Sequence, residues 1–234
     1  MISQLEIKHI NALKIKKYRA KNSEFIAEGD KIIKELIDEG LEVVNIYTIN
    51  NKIFNAEHCK IVSDTVLNKI TALKNHHQSL AVFKIPQNNF VINNNEWILM
   101  LDDIQDPGNM GTIIRNCDWF GIKKIICSDG CVDAYNPKVV QASMASIGRV
   151  QTIEADLNDV IQQYKFPVYG AVLQGNNYHQ QNFTQKGFIL IGNEGHGISE
   201  TLLQKITFPI TIPRKGKAES LNAAIATALI LDKL

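Results

Sequence analysis

Apolar residues along this chain fall into two alternating rhythms. Short, nearly continuous apolar runs occupy 97–101, 124–127, 167–172 and 188–191, and such runs fit strands of a parallel sheet covered on both faces. Between them lie segments of helical spacing. Met110, Ile113, Ile114 and Cys117 recur at three- and four-residue intervals and form one inward face. In the last segment Leu221, Ala224, Ile225, Ala228 and Leu229 mark a stripe, and Ser220 stands where a cap belongs. Upstream, Ile32, Ile33, Leu36 and Ile37 predict a helix that Asp30 can cap and Gly40 ends. Runs at 43–47 and 80–83 read as strands, and Ser63 can cap a further helix bearing Val66, Leu67 and Ile70. Strands alternate with helices in both halves, so the fold class is α/β.

The rhythm breaks after Pro86, where Asn88, Asn89, Asn93, Asn94 and Asn95 cluster. Asparagine bonds to its own backbone and favours turns over ladders. A linker is expected at 88–95, separating a small α/β domain, 1–87, from a larger one, 96–234. The composition, 45% apolar and 21% charged over 234 residues, is that of a globular protein and excludes wholesale disorder. With 25 basic and 24 acidic residues the net charge is only +1, which excludes a histone-like coating of nucleic acid. The charge is uneven, however. Lys8, Lys14, Lys16, Lys17, Arg19 and Lys21 stand against Glu6 alone in the first 21 residues. Lys14, Lys16, Lys17 and Arg19 suit backbone phosphates of a nucleic acid, which give affinity without sequence readout; the plain alternative is a solvated helix face. Four cysteines, Cys59, Cys117, Cys127 and Cys131, are too few for a disulfide scaffold, and three sit in apolar runs. A reducing cytoplasm is expected. The amino terminus lacks a signal-peptide layout, and no run approaches 18 apolar residues, so no membrane partner is expected.

Three polar segments follow strand signals, where α/β sheets gather ligands. In the first, Pro107, Gly108 and Asn109 supply turn chemistry, Gly111 allows close backbone approach, and Arg115 lies beyond them in the helix. The plain reading is a strand–turn–helix junction capped by Asn109. The second, Gly192-Asn193-Glu194-Gly195-His196-Gly197, bends sharply after its strand. Its glycine order fails the dinucleotide fingerprint, and Ile198 replaces the lysine that a phosphate loop requires. Glu194 would also repel a triphosphate, which favours a neutral or cationic ligand. In the third, Arg214, Lys215 and Lys217 precede the amino end of the final helix, with Ser220 and Asn222 at its start.

Taken together, these segments resemble the three ordered motifs of the SpoU (TrmH-type) RNA 2′-O-ribose methyltransferases, within the SPOUT superfamily. Pro107, Asn109, Gly111 and Arg115 fill the first motif, and Ile191 through Gly197 the second. Ile212-Pro213 followed by Ser220-Leu221-Asn222-Ala223-Ala224 fills the third. Tyr18-Arg19 and Phe25-Ile26-Ala27-Glu28-Gly29 likewise resemble that family's ribosomal-protein-like substrate-binding domain. Arg214 and the Ala223-Ala224 pair depart from the usual pattern, and none of them replaces a polar site residue.

The resemblance implies a SPOUT-type parallel sheet threaded into a trefoil knot that forms an S-adenosylmethionine pocket. Gly192, Ile212 and Leu221 would line it. It implies a homodimer acting on ribosomal or transfer RNA, ribosomal RNA being favoured by the appended domain. Asn109, Arg115, Glu194, Ser220 and Asn222 become the expected catalytic set. In it Asn109 and Glu194 shape the network, Ser220 and Asn222 orient Arg115 or the target nucleotide, and Arg115 activates the hydroxyl. The other reading is an RNA-binding protein that keeps the fold without transferring methyl groups. A small-molecule nucleotide enzyme is weakened by the failed phosphate fingerprints. His76-His77 lack zinc-site spacing, Cys127 and Cys131 have no second pair, and no metal is expected. His196 is given no role in the chemistry.

Overall fold

A computed structural model of the chain describes residues 2–50, 52–54, 58–87 and 90–234. Asn88 and Asn89 of the expected linker thus lie outside the described residues. The chain divides into two compact units, Met1–Asn88 with Asp133–Gly148, and Asn89–Val132 with Arg149–Leu234.

The first unit runs α1 (Gln4–Ala12), α2 (Lys16–Asn22), β1 (Glu24–Glu28), α3 (Asp30–Asp38), β2 (Val43–Thr48), β3 (Cys59–Ile61), α4 (Asp64–Ile70) and β4 (Ser79–Lys84). Its sheet has the order β1-β4-β2-β3. The β1/β4 and β2/β4 pairs are antiparallel, and β2/β3 is parallel. Ser3 and Glu6 form a reciprocal capping box at the start of α1. One face of the sheet packs Ile26, Tyr47, Leu80 and Val82 against Ile10 and Leu13 of the first helical stretch and Leu67 and Ile70 of α4. Gly29, at a φ of 97°, takes the N-cap position of α3 that the sequence assigns to Asp30, and Ser63 precedes α4 without a side-chain capping bond.

Asp133–Gly148 requires a correction, because the sequence boundary assigns it to the second domain. It groups with the first unit for three physical reasons. The Tyr135 ring lies 4.9 Å from that of Phe25, which in turn stacks on Phe83 at 5.6 Å. The helix Pro137–Ser143 buries Val139 and Val140. Asp133 takes two bonds from the Arg19 guanidinium, from Nη2 at 2.5 Å and from Nε at 2.7 Å.

Arg19 is the second correction. Its side chain is buried, and Nη1 also donates to the Leu13 carbonyl at 2.9 Å. The guanidinium is a tertiary clamp with no face left for a phosphate. Removing one member of a buried pair leaves the other charge uncompensated, a cost of about 3 kcal/mol at the lower end of the measured range. Arg19→Ala is therefore expected to lower the melting temperature by roughly 6–12 °C. Arg19→Lys should recover little of this, since an ammonium lacks the planar fork. A thermal-unfolding series with Lys17→Ala as the exposed comparison checks the assignment, and equal melting temperatures for the two alanine variants would reject it.

The second unit contains β5 (Ile98–Leu101), α5 (Pro107–Phe120) and β6 (Lys124–Cys127); the helix Pro137–Ser143 is α6 in chain order. It continues with β7 (Gln151–Glu154), α7 (Leu157–Tyr164), β8 (Val168–Asn177), β9 (Phe188–Ile191), α8 (Glu200–Leu203), β10 (Phe208–Thr211) and α9 (Ala223–Leu231). The strand order is β10-β8-β9-β5-β6-β7, and every pairing is parallel. The four expected runs are strands, with β8 extending beyond its apolar start. Met110, Ile113, Ile114 and Cys117 of α5 are fully buried.

The final helix differs from the expected stripe. Ala223, Ala224, Thr227, Ile230 and Leu231 face inward, whereas Leu221 and Ile225 are about half exposed. Ser220 does not cap it. Asn222 does, its Oδ1 accepting from Ala224 N at 3.0 Å and Ile225 N at 3.3 Å.

Candidate active site

The carboxyl ends of β5 and β9 meet the starts of α5 and α9, and four local devices hold them there. Asp106 caps α5 by accepting from the Asn109 backbone at 2.8 Å, and Pro107 occupies the first turn. That cap leaves the Asn109 side-chain amide free. Its Nδ2 donates to Glu194 Oε1, and its Oδ1 accepts from Asn222 Nδ2 at 2.8 Å. Asn222 in turn is the cap of α9, which α5 grips a second time through Asn116 Nδ2 and the Ala224 carbonyl at 2.9 Å. Glu194, Asn109 and Asn222 come from three segments far apart in sequence and form one relay.

The glycine loop after β9 closes on itself. Asn193 and Gly197 exchange two backbone bonds, at 3.1 and 2.9 Å, and Gly197 has a φ of 73°. A Cβ on Gly192 would overlap the Gly197 carbonyl carbon and the Ile198 nitrogen, so a bare backbone is obligatory where the loop crosses itself. Beyond β10, Thr211 Oγ1 donates to the Leu173 carbonyl at 3.2 Å, bringing the β8 segment beside the one that carries Ile212.

Of the expected residues, Asn109, Glu194 and Asn222 are joined. Arg115 is exposed and makes no hydrogen bond or ion pair among the described residues; it shares an outer stripe of α5 with Thr112 and Trp119. Ser220 is exposed and contacts neither Arg115 nor Asn222 through a described hydrogen bond. Its orienting role on Arg115 is therefore not seen in this structure. In the first unit Lys14 is half-buried. Its Nζ donates to the Thr71 carbonyl at 2.6 Å, and burial lowers its pKa. Lys16 and Lys17 are exposed.

The SpoU rRNA methylase family profile matches residues 96–232, more than half of the chain. The chain belongs to the SpoU rRNA methylase family. Residues 4–81 match the MRM3-like substrate-binding domain. The chain is 29% identical to the 23S rRNA (guanosine(2553)-2′-O)-methyltransferase RlmP of Bacillus subtilis, over 98% of this chain and 95% of that protein. Among solved structures, a TrmH-family protein from Porphyromonas gingivalis, described as an RNA methyltransferase, superposes with a TM-score of 0.88. It is 32% identical and covers 100% of this chain and 98% of its own. An AdoMet-bound rRNA methyltransferase from Sinorhizobium meliloti gives the same TM-score of 0.88 at 27% identity, with 100% and 95% covered.

Two features of this SpoU chain escaped the sequence reading. Asp102 and Asp103, at the end of β5, bond to the glycine loop: Asp102 Oδ2 accepts from Ser199 N at 2.7 Å, and the Asp103 carbonyl accepts from Asn193 Nδ2 at 2.8 Å. His196, set aside as unneeded, pairs with Asp103 at 2.9 Å. The adjacent acidic pair after an apolar run was the available signal. Among the described residues no group of three or more His, Cys, Asp or Glu side chains is arranged to hold a metal, and all four cysteines are free thiols.

Proposed function

We propose that the chain transfers a methyl group from S-adenosylmethionine to a ribose 2′-hydroxyl of RNA, with ribosomal RNA the favoured substrate. Membership in the SpoU rRNA methylase family makes it an RNA methyltransferase. The AdoMet-bound Sinorhizobium meliloti relative supports the cofactor, and the Bacillus subtilis relative, a 23S rRNA methyltransferase, supports the substrate class. The observation within this structure that carries the reading is the Glu194–Asn109–Asn222 relay, which draws all three motif segments to one place.

The self-crossing of the glycine loop fits the cofactor. Backbone groups at Gly192, Ile212 and Leu221 would hold a ligand with an apolar ring, polar edges and no phosphate. When bound, S-adenosylmethionine supplies a methyl carbon on a sulfonium that is already a good leaving group. The protein's task is then alignment, which can contribute roughly 7–11 kcal/mol. Glu194 is held on Asn109, Asn109 is held by the cap of α9, and Arg115 reaches outward from the same helix. A guanidinium stays protonated in proteins. Its role is to polarise the 2′-oxygen and clamp an RNA phosphate.

A homodimer completes the site. Trp119 is 84% exposed on α5, and Leu221 and Ile225, about half exposed, flank the start of α9, which packs on α5. Exposed apolar side chains on these two packed helices support an interface with a second copy. It includes the stripe that carries Arg115, so a second copy would close over that residue. A trefoil knot of the closing segments and a cytoplasmic location belong to the same reading. The four cysteines are free thiols, as a reducing compartment would keep them.

The test is incorporation of labelled methyl into 23S rRNA and transfer RNA, with mapping of the modified ribose. Label on the base, or none on either RNA, would overturn the reading. None with RNA binding intact would favour a non-catalytic RNA-binding protein. Binding should weaken steeply with salt, and Lys17→Gln should reduce the slope of log affinity against log salt by about 0.7–0.9. Lys14→Gln should reduce that slope less, because its half-buried ammonium is directed to the Thr71 carbonyl. Equal slopes for the wild type and Lys17→Gln would remove this surface from the assignment.

A further inference from the structure

Asp103 sits in a conformation that non-glycine residues seldom adopt. Its φ is 57°, in the left-handed region that aspartate enters more readily than most side chains. Everything around it fixes that turn. Its N–H donates to Ser128 Oγ at 2.9 Å, and a Cβ on Gly130 would run into its carboxylate. The turn aims three acceptors. The carbonyl takes Asn193 Nδ2 at 2.8 Å, Oδ2 takes His196 Nε2 at 2.9 Å, and Oδ1 takes Gln105 Nε2 at 2.9 Å. Asn193 and His196 are the residues on either side of Glu194-Gly195. The loop is thus held at both shoulders, while Glu194 reaches from between them to Asn109.

We propose that Asp103, with His196 as its partner, is a positioning residue that clasps the glycine loop and thereby sets Glu194 on Asn109. This rests on the relay serving methyl transfer, as proposed above. His196 is 62% exposed, and a pair at that exposure adds little to stability. The value of the clasp lies in where it holds the loop. Displacement of a positioned group by about 1 Å is enough to cost up to a hundredfold in rate.

Glycine and asparagine at position 103 separate the backbone from the side chain. Asp103→Gly keeps the left-handed turn without strain and deletes the carboxylate. Asp103→Asn tolerates the same turn and keeps an acceptor for His196. Asp103→Gly is expected to lower kcat for methyl transfer about tenfold, with the KM for S-adenosylmethionine within twofold and an unchanged melting temperature. Asp103→Asn should recover to within about threefold of wild type. His196→Ala should lose about fivefold, and the double variant should be no worse than Asp103→Gly alone. Hydrogen exchange at the Gly195 and Gly197 amides, both bonded to Asn193, should quicken in Asp103→Gly. Unchanged exchange would mean that the carboxylate does not hold the loop, since the variant keeps only the carbonyl bond to Asn193, and would overturn the assignment of Asp103 and His196 as the clasp. Faster exchange with kcat within twofold of wild type, or additive losses in the double variant, would mean that the clasp does not act through Glu194. A wild-type protein that transfers no methyl group would sink the functional reading instead, and the exchange measurement would still decide the clasp.

Discussion

Arg115→Ala is expected to lose methyl transfer by at least a hundredfold while binding S-adenosylmethionine within twofold of wild type. The expectation follows from where the residue stands. Arg115 is exposed on α5 and carries no hydrogen bond or ion pair among the described residues, so the fold does not depend on it. The inward face of the helix, Met110, Ile113, Ile114 and Cys117, is complete without it. A charged side chain left free on the helix that carries Asn109 is available to a substrate. Removing one preorganised charge or donor from a developing oxyanion typically costs about 10²–10³ in rate. Arg115→Lys retains a positive charge and loses the fork, so it should fall between wild type and alanine. Calorimetry and a single-turnover assay on the same preparations separate the two roles. Lost cofactor affinity would make Arg115 a structural residue of the pocket, and normal turnover would remove it from the chemistry altogether.

The contrast between Arg115 and Arg19 shows what a linear sequence conveys. Both are basic residues near motif segments, and sequence alone cannot tell which is clamped. Arg19 is buried on a partner, Asp133, that lies 114 positions away in a segment with no strong pattern of its own, so its clamp is not legible along the chain. By contrast, α5 was legible because a mixed helix encodes its phase in the spacing of its apolar residues. The residues that make up α9 are apolar on nearly every side, so several stripes fit equally and spacing does not select the buried one. Its cap was ambiguous for a related reason. Ser220 and Asn222 are both capping types, and the choice is decided by the second bond that the Asn222 amide makes to Asn109. The strands β1, β3, β7 and β10 have no apolar run long enough to mark them. β3 spans only three residues, β1 and β7 hold only short apolar stretches between polar side chains, and β10 holds Pro209, which a sheet tolerates at its edge. The relay residues were visible individually as turn and cap types. Their bonding to one another is a tertiary fact, as is the grip of Asp103 on the glycine loop.

Gly192→Ala is expected to lower S-adenosylmethionine affinity at least tenfold and methyl transfer at least a hundredfold. The added methyl group has no flexible neighbour to displace. It would stand 2.5 Å from the Gly197 oxygen and overlap the adjoining backbone atoms, so one limb of the loop must move. Moving either limb breaks the paired bonds between Asn193 and Gly197. It also pulls Asn193 from Asp103 and Glu194 from Asn109, which would couple the backbone proposed to face the cofactor to the proposed relay. Gly195→Ala makes the comparison sharp. Its Cβ would meet only the Asn193 Oδ1, at 3.3 Å, and the loop can give by a few tenths of an ångström. That variant should remain within about fivefold of wild type in transfer, in keeping with the modest cost of mild overpacking. Isothermal titration with the cofactor, followed by transfer assays at saturating concentration, reads both effects. If Gly192→Ala binds and turns over as Gly195→Ala does, the crossing of the loop is not the floor of the cofactor site.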